Sequence, residues 1–394
     1  MNTSRRPLAR IAAGRLHNRH AWAIVLAGGD GVRLRPLVQR FFGDERPKQF
    51  VPLMGPDSLL RQTLDRVARV ISPERTVVVS RTDHAPYIDT ELAGSLTPRV
   101  LFQPANRGTG AGVLFPAHWI RRRAADATVA VFPSDHFILE ETGFMAHTAE
   151  VVAFVDRHPE WLVLLGAEPT EPESEYGWIK PGDRLGQTKS GPIRRVRGFW
   201  EKPDANSAQA CLGSGWLWNT FVLVAKVSRL IDAGQQLLPV LHERLARSCT
   251  FLDTEHEAWA LRQAYALAPT CNFSRSILED CPPYLAVSQL PRLTWSDLGT
   301  APRVFATLRT ANIRPPWLPG GLPGEAEAIS SMAGEKTRQA ARAVRRRIVA
   351  LELGRVPALG VTDDQLGHRH AGPKPPDQLV RVERDADRIA LECR

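Results

Sequence analysis

The chain has 394 residues, 43% hydrophobic and 24% charged, enough for one large or two medium domains; this excludes a disulfide-stapled miniature, a fibrous repeat and a mostly disordered polymer. Its net charge of +9 is concentrated in two places, five Arg within residues 1–20 and one Lys with five Arg within residues 336–347, neither stretch holding an acid. These cations outnumber the net charge, so the rest of the chain is not basic, and without aromatic interleaving or a nucleic-acid motif the pattern does not predict nucleic acid as a partner.

Along the chain, apolar runs at residues 22–26, 76–80, 100–103, 128–132 and 161–166 read as buried strands. Between them, residues 59–70, 111–123 and 144–157 have helix length, with apolar positions three and four apart. This alternation predicts an α/β fold, a mostly parallel sheet with helices on both faces. From about residue 176 the pattern changes to extended, turn-punctuated segments at 191–200 and 216–226, which predict added antiparallel strands. Helices are expected again at 228–246 and 255–266, then a Pro/Gly-rich linker at 314–324, a helix at 325–347 and a mixed polar tail. No stretch nears the roughly 18 apolar residues of a membrane span, and the Arg-rich start lacks the apolar run of a signal peptide. The expectation is therefore a cytoplasmic protein without a membrane partner. The five cysteines (Cys211, Cys249, Cys271, Cys281, Cys393) form no CxxC pair, so reduced thiols and no structural metal are expected.

The densest chemical signal follows the first strand: Leu26-Ala27-Gly28-Gly29-Asp30-Gly31-Val32-Arg33. Glycines at such spacing let backbone N–H groups approach an anion, and Arg33 adds a charged clamp, so phosphate binding is the natural reading. The spacing fits neither a P-loop nor GxGxxG, and a plain glycine turn remains an alternative for this segment alone. Lys48, in Arg46-Pro47-Lys48-Gln49-Phe50, is either a second phosphate ligand or a surface lysine. Asp135, in Pro133-Ser134-Asp135-His136, follows a buried strand, where open α/β sheets bind ligands. Asp297, in Trp295-Ser296-Asp297-Leu298-Gly299, supplies a second carboxylate, and two such acids from distant segments suit magnesium at a triphosphate. Either aspartate could instead be a turn or cap residue. His136 is a weak candidate for a general base, because phosphoryl-type transfers depend mainly on positioning and charge neutralisation.

Taken together, these segments resemble the sugar-1-phosphate nucleotidyltransferases, and among them the mannose-1-phosphate guanylyltransferases. The resemblance also rests on Gln103-Pro104-Ala105-Asn106-Arg107-Gly108-Thr109, Glu175-Tyr176-Gly177-Trp178-Ile179, Phe199-Trp200-Glu201-Lys202-Pro203 and Trp218-Asn219, all in family order between about residues 22 and 305. It implies a Rossmann-like nucleotidyltransferase fold and a reaction of GTP with mannose 1-phosphate giving GDP-mannose and pyrophosphate. Ala27, Gly28, Gly29, Gly31 and Arg33 would hold the triphosphate, Lys48 would neutralise it, and Gln103, Gly108 and Thr109 would face the base. Gly177, Glu201, Lys202 and Asn219 would face the sugar phosphate, with Lys202 on the phosphate; Asp135 and Asp297 would bind Mg2+. Arg33, Lys48, Asp135 and Lys202 would carry the catalysis.

The implied domains are a basic arm at 1–20, a catalytic domain at 21–305 and an extension at 306–394, where neither the β-helix nor the isomerase domain of relatives is evident. Homo-oligomer formation is compatible with the sequence. Three departures stand out: Val32 where Thr is common, Asn219-Thr220-Phe221 where the family usually reads Asn-Ser-Gly, and Ser274 where many relatives carry Asp. Other readings weighed are another sugar 1-phosphate or nucleotide, such as glucose 1-phosphate, and a weakly catalytic nucleotide-sugar-binding regulator.

Overall fold

Strand residues with apolar side chains on both faces must be covered on both faces, and that requirement organises the computed structural model, which describes residues 21–93 and 98–318. In β1 (Ala21–Leu26), Ile24 enters one core while Ala23 and Val25 enter the other, as the two-residue period of a strand demands. The elements that follow are α1 (Arg35–Phe42), α2 (Leu59–Val67), β2 (Thr76–Arg81), α3 (Ala85–Leu92), β3 (Arg99–Gln103), α4 (Gly108–Arg123) and β4 (Thr128–Pro133). Then come β5 (Phe137–Ile138), α5 (Glu141–Arg157), β6 (Leu162–Ala167), β7 (Gly177–Gln187), β8 (Pro192–Glu201), α6 (Ala205–Gly213) and β9 (Leu217–Lys226). The described part closes with α7 (Val227–Leu237), α8 (Pro239–Ser248), α9 (Glu257–Leu267), β10 (Leu285–Gln289), β11 (Trp295–Ser296) and α10 (Ala301–Thr310).

Among the described residues the main sheet runs β3-β2-β1-β4-β9-β6-β10-β8-β7. The β3-β2-β1-β4 half is parallel, as is β6 with β10, whereas β9 lies antiparallel between β4 and β6, and β7 and β8 extend the sheet antiparallel. The mostly parallel core, the surrounding helices and the added antiparallel strands agree with the expectation. Phe115, Leu230 and Leu241, from α4, α7 and α8, pack on one face, and Leu60, Ile88 and Phe144, from α2, α3 and α5, on the other. A third core joins α1 and α10 through Leu37, Val304 and Phe305.

Three expectations change. The helix expected at 228–246 is two helices, because Pro239 has no N–H to continue α7 and instead opens α8. Helices α1 and α3 were not anticipated: each is eight residues, with few buried positions to reveal a period. Helix α10 crosses the domain boundary expected at residue 305, and Trp317, inside the expected linker, packs on Phe41 while its indole donates to the Leu53 carbonyl at 3.1 Å. The basic arm, the helix expected at 325–347 and most of the extension lie outside the described residues.

Candidate active site

The glycine loop leaves the C-terminal end of β1, and its carbonyls are held from behind. Gln49 donates to the Ala27 and Gly29 carbonyls at 2.9 Å each, and Ser80 donates to Ala27 at 3.1 Å. In a trans peptide the N–H points opposite to the C=O, so fixing these carbonyls directs the amides of Gly28 and Asp30 away from them. Gly31 has φ 59°, and a Cβ there would lie 2.8 Å from the Lys48 backbone nitrogen. Only glycine meets both conditions.

That close approach sets Lys48 between Asp135 and Asp297. Its ammonium lies 2.8 Å from Asp135 Oδ2, just past β4, and donates to the Asp297 carbonyl oxygen, just past β11. The Asp297 carboxylate is itself held: Oδ1 accepts from Arg303 Nη1 at 2.6 Å, from the Gly299 amide at 2.9 Å and from the Tyr176 hydroxyl at 3.0 Å. Arg303 also pairs with Glu173 and lies 4.7 Å above the Tyr176 ring. Burial works to raise the pKa of both aspartates. Lys48 then outweighs it, with His136 at Asp135 and Arg303 at Asp297, so Asp135 stays below its ordinary range and Asp297 falls to about 2. Both are carboxylates at neutral pH. His136 is pushed down to about 4, mainly by burial, and its Nδ1 has no hydrogen-bond partner among the described residues. It is neutral at pH 7 and weakly basic, which counts against a general base.

The expected base-facing residues adjoin the loop. A Cβ on Gly28 would come 3.0 Å from Gln103 Nε2, while the Gln103 oxygen accepts from the Tyr265 hydroxyl at 3.0 Å. Gly108, with φ 77°, opens α4 against the Cys271 carbonyl, 2.3 Å from where a Cβ would stand. The Thr109 hydroxyl accepts from the Phe273 amide at 2.8 Å.

The expected sugar-facing residues gather at the ends of β7, β8 and β9. A Cβ on Gly177 would lie 2.8 Å from Glu201 Oε2 and 3.2 Å from the Asn219 Cβ, so its lack of a side chain lets the acid and the amide share one recess. Burial raises the Glu201 pKa, Lys202 and a Ser274 hydrogen bond partly opposing it, and its amide donates to Glu279 Oε1 at 2.7 Å. Asn219 Oδ1 accepts from the Phe221 amide at 3.1 Å. Lys202, with φ 54°, turns back toward the first cluster. Its Nζ lies 3.8 Å from Glu175 Oε2, the oxygen that also accepts from Arg33 Nη1 at 2.9 Å.

Arg33, Lys48, Asp135 and Asp297 thus form one cluster, Gly177, Glu201 and Asn219 a second, and Glu175 joins Arg33 to Lys202. Sequence reasoning assigned no role to Glu173, Glu175, Tyr176 or Arg303. Glu175 and Tyr176 sit inside a quoted motif, but the pairing of Arg303 with Asp297 depends on how α10 packs and leaves no local signal.

Three comparisons with known proteins bear on this region. A family model described as nucleotidyl transferase matches residues 22–311. The xanthan biosynthesis protein XanB of Xanthomonas campestris pv. campestris (strain B100) is 30% identical over 281 residues, 70% of this chain and 57% of that protein. The mannose-1-phosphate guanylyltransferase of Escherichia coli (strain K12) is 26% identical over 285 residues, 71% of this chain and 58% of that protein. This chain therefore spans little more than half the length of these curated relatives. Among solved structures, one described as mannose-1-phosphate geranyltransferase from Thermus thermophilus superposes with a TM-score of 0.62 at 30% identity, covering 73% of this chain and 79% of that one. No helix among the described residues is long and apolar enough to cross a membrane.

Proposed function

Since the chain belongs to the nucleotidyl transferase family, we propose that it is a sugar-1-phosphate nucleotidyltransferase that joins GTP and mannose 1-phosphate into GDP-mannose, releasing pyrophosphate. The observation that carries this reading is Lys48, packed against Gly31, its ammonium bridging the Asp135 carboxylate past β4 and the Asp297 carbonyl oxygen past β11. An oxygen of the sugar 1-phosphate forms a bond to the α-phosphorus of the nucleotide, and the bond to the bridging oxygen breaks, sending its electron pair out with pyrophosphate. The attacking oxygen is already anionic, so no side chain need take a proton, in keeping with the low basicity of His136.

The difficulty is electrostatic, because two polyanions must meet. Arg33 and the loop amides would bind the triphosphate, Lys48 would offset charge that moves onto the leaving group, and Lys202 would hold the sugar phosphate. Glu201 and Asn219 would fix the sugar hydroxyls. Asp135 and Asp297 suit magnesium as hard oxygen donors. Among the described residues no group of three or more His, Cys, Asp or Glu side chains that could hold a metal ion is present; magnesium would take its remaining oxygens from phosphate and water. Bound there, magnesium would neutralise phosphate charge. We assign the activity to the cytoplasm, without a nucleic-acid or membrane partner, and a homo-oligomer is compatible with it.

The test is pyrophosphate release by purified protein with magnesium, crossing GTP, ATP, UTP and dTTP with mannose 1-phosphate and glucose 1-phosphate. Release confined to GTP with mannose 1-phosphate is the expected result. Release with another pair keeps the chemistry and replaces the substrates, and no release with any pair, while nucleotide sugars still bind, points to the regulatory reading.

A further inference from the structure

The backbone of β9 carries an irregularity beside the sugar-facing pair. Leu165 of β6 pairs with Val222, whereas Gly166 pairs with Asn219, so Thr220 and Phe221 are extra residues in a bulge. Phe221 sits in this bulge with φ 58°, a left-handed conformation that a bulky side chain rarely adopts. Such residues persist where the surroundings over-determine them, and they cluster at ligand clamps.

Three contacts hold this one. The Thr220 hydroxyl donates to the Leu165 carbonyl at 2.6 Å, the Phe221 amide donates to Asn219 Oδ1 at 3.1 Å, and the Phe221 ring meets the Phe273 ring edge-on at 6.1 Å. The second contact also orients Asn219, turning its oxygen to the bulge and its N–H2 away from it. Half-buried, Phe221 packs against the core that holds Leu217 and Leu223.

Phe273 gives that ring its significance. Its amide is bonded to Thr109 at the start of α4, and Glu279, six residues further along the same segment, accepts from the Glu201 amide. One short segment thus touches both the base-facing and the sugar-facing wall, with the Phe221 ring against it and Asn219 two residues away.

We propose that Phe221 is a specificity-determining residue: its ring closes the recess between Asn219, Glu201 and the start of α4, and restricts the enzyme to sugar 1-phosphates without a bulky ring substituent. This rests on the reading of the cleft as a sugar 1-phosphate site. Replacing a ring by glycine opens space, whereas the charged groups that bind phosphate stay in place. The change therefore falls on the choice of sugar and not on the nucleotide.

The experiment compares kcat/KM for mannose 1-phosphate and N-acetylglucosamine 1-phosphate, with GTP, in wild type, Phe221→Gly and Phe221→Asn. Both replacements accept a left-handed backbone and remove the ring, and circular dichroism checks that each is folded. The expected result is a wild type that strongly prefers mannose 1-phosphate, and a shift of the ratio toward the N-acetylated sugar by about tenfold or more in both variants, with KM for GTP unchanged within about twofold. An unchanged ratio, a shift in the glycine variant alone, which would assign the effect to backbone relaxation, or a wild type that uses both sugars equally overturns the proposal while leaving the reaction class standing. A wild type that turns over no sugar 1-phosphate removes the underlying reading and the proposal together.

Discussion

Lys48 and Lys202 carry the same charge on two sides of one cleft, yet the fold treats them differently. The Lys48 side chain is 7% exposed and held by Asp135 and the Asp297 backbone; that of Lys202 is 42% exposed, with Glu175 at 3.8 Å. The first is part of the scaffold before any substrate arrives, and its neighbours depend on it for charge balance. The second is a solvated cation whose partner a phosphate can replace at little cost. One side of the cleft is preorganised and the other is adaptable, so damage to each should look different in a stability measurement as well as in kinetics.

The largest expected effect is that of Lys48→Ala. Turnover should fall by about 10³-fold, and, with Asp135 left beside Asp297 without its cation, thermal or denaturant unfolding should show a loss of about 3 kcal/mol. A variant that loses turnover at full stability would break the comparison. Next comes an acid titration of wild-type stability, which separates loss of fold from loss of chemistry. Burial pushes His118 down to about 4, the nearby His242 and Arg121 adding to it. The unfolded chain therefore binds more protons between pH 6.5 and 4, and stability falls as pH falls through that window by about 3 kcal/mol from this group. His118→Gln should flatten that part of the curve, measured by denaturant midpoint against pH, and an unaltered slope would show that His118 does not titrate in this way.

Lys202→Ala should be milder. KM for the sugar phosphate should rise about tenfold with stability unchanged within about 0.5 kcal/mol, and a melting temperature that drops as far as in Lys48→Ala would mean both lysines are structural. The smallest change expected is in Glu175→Gln. Its carboxylate faces both Arg33 and Lys202, so neutralising it should lower KM for both substrates by about two- to threefold. A rise in both would show that Glu175 helps to hold the substrates.

The sequence was readable where the candidate site is written in short blocks. The glycine loop, Lys48 and the two aspartates each lie in a contiguous motif, and the buried strands announce themselves as apolar runs because both of their faces are covered. What escaped is what arises between segments. No local pattern places β9 between β4 and β6, since strand order belongs to the whole sheet. Arg303 lies on a helix whose spacing speaks of packing, and its bond to Asp297 exists only once α10 has docked. Phe221 was visible as a departure from the family pattern; that it sits in a bulge at positive φ was not, because a bulge is a mismatch with a neighbouring strand.

The antiparallel β9 also bears on how the molecule is made. When β4 leaves the ribosome its partner on one side, β1, is already present, but the other edge stays open until the chain has grown as far as Lys226. At about 5–20 residues per second, that open edge lasts for seconds, and an unpaired apolar strand is a template for other chains. The strand that brings Asn219 to the cleft is thus also the late-arriving seal of the sheet, and substitutions that slow its docking should lower the yield of soluble protein even where the finished fold is sound.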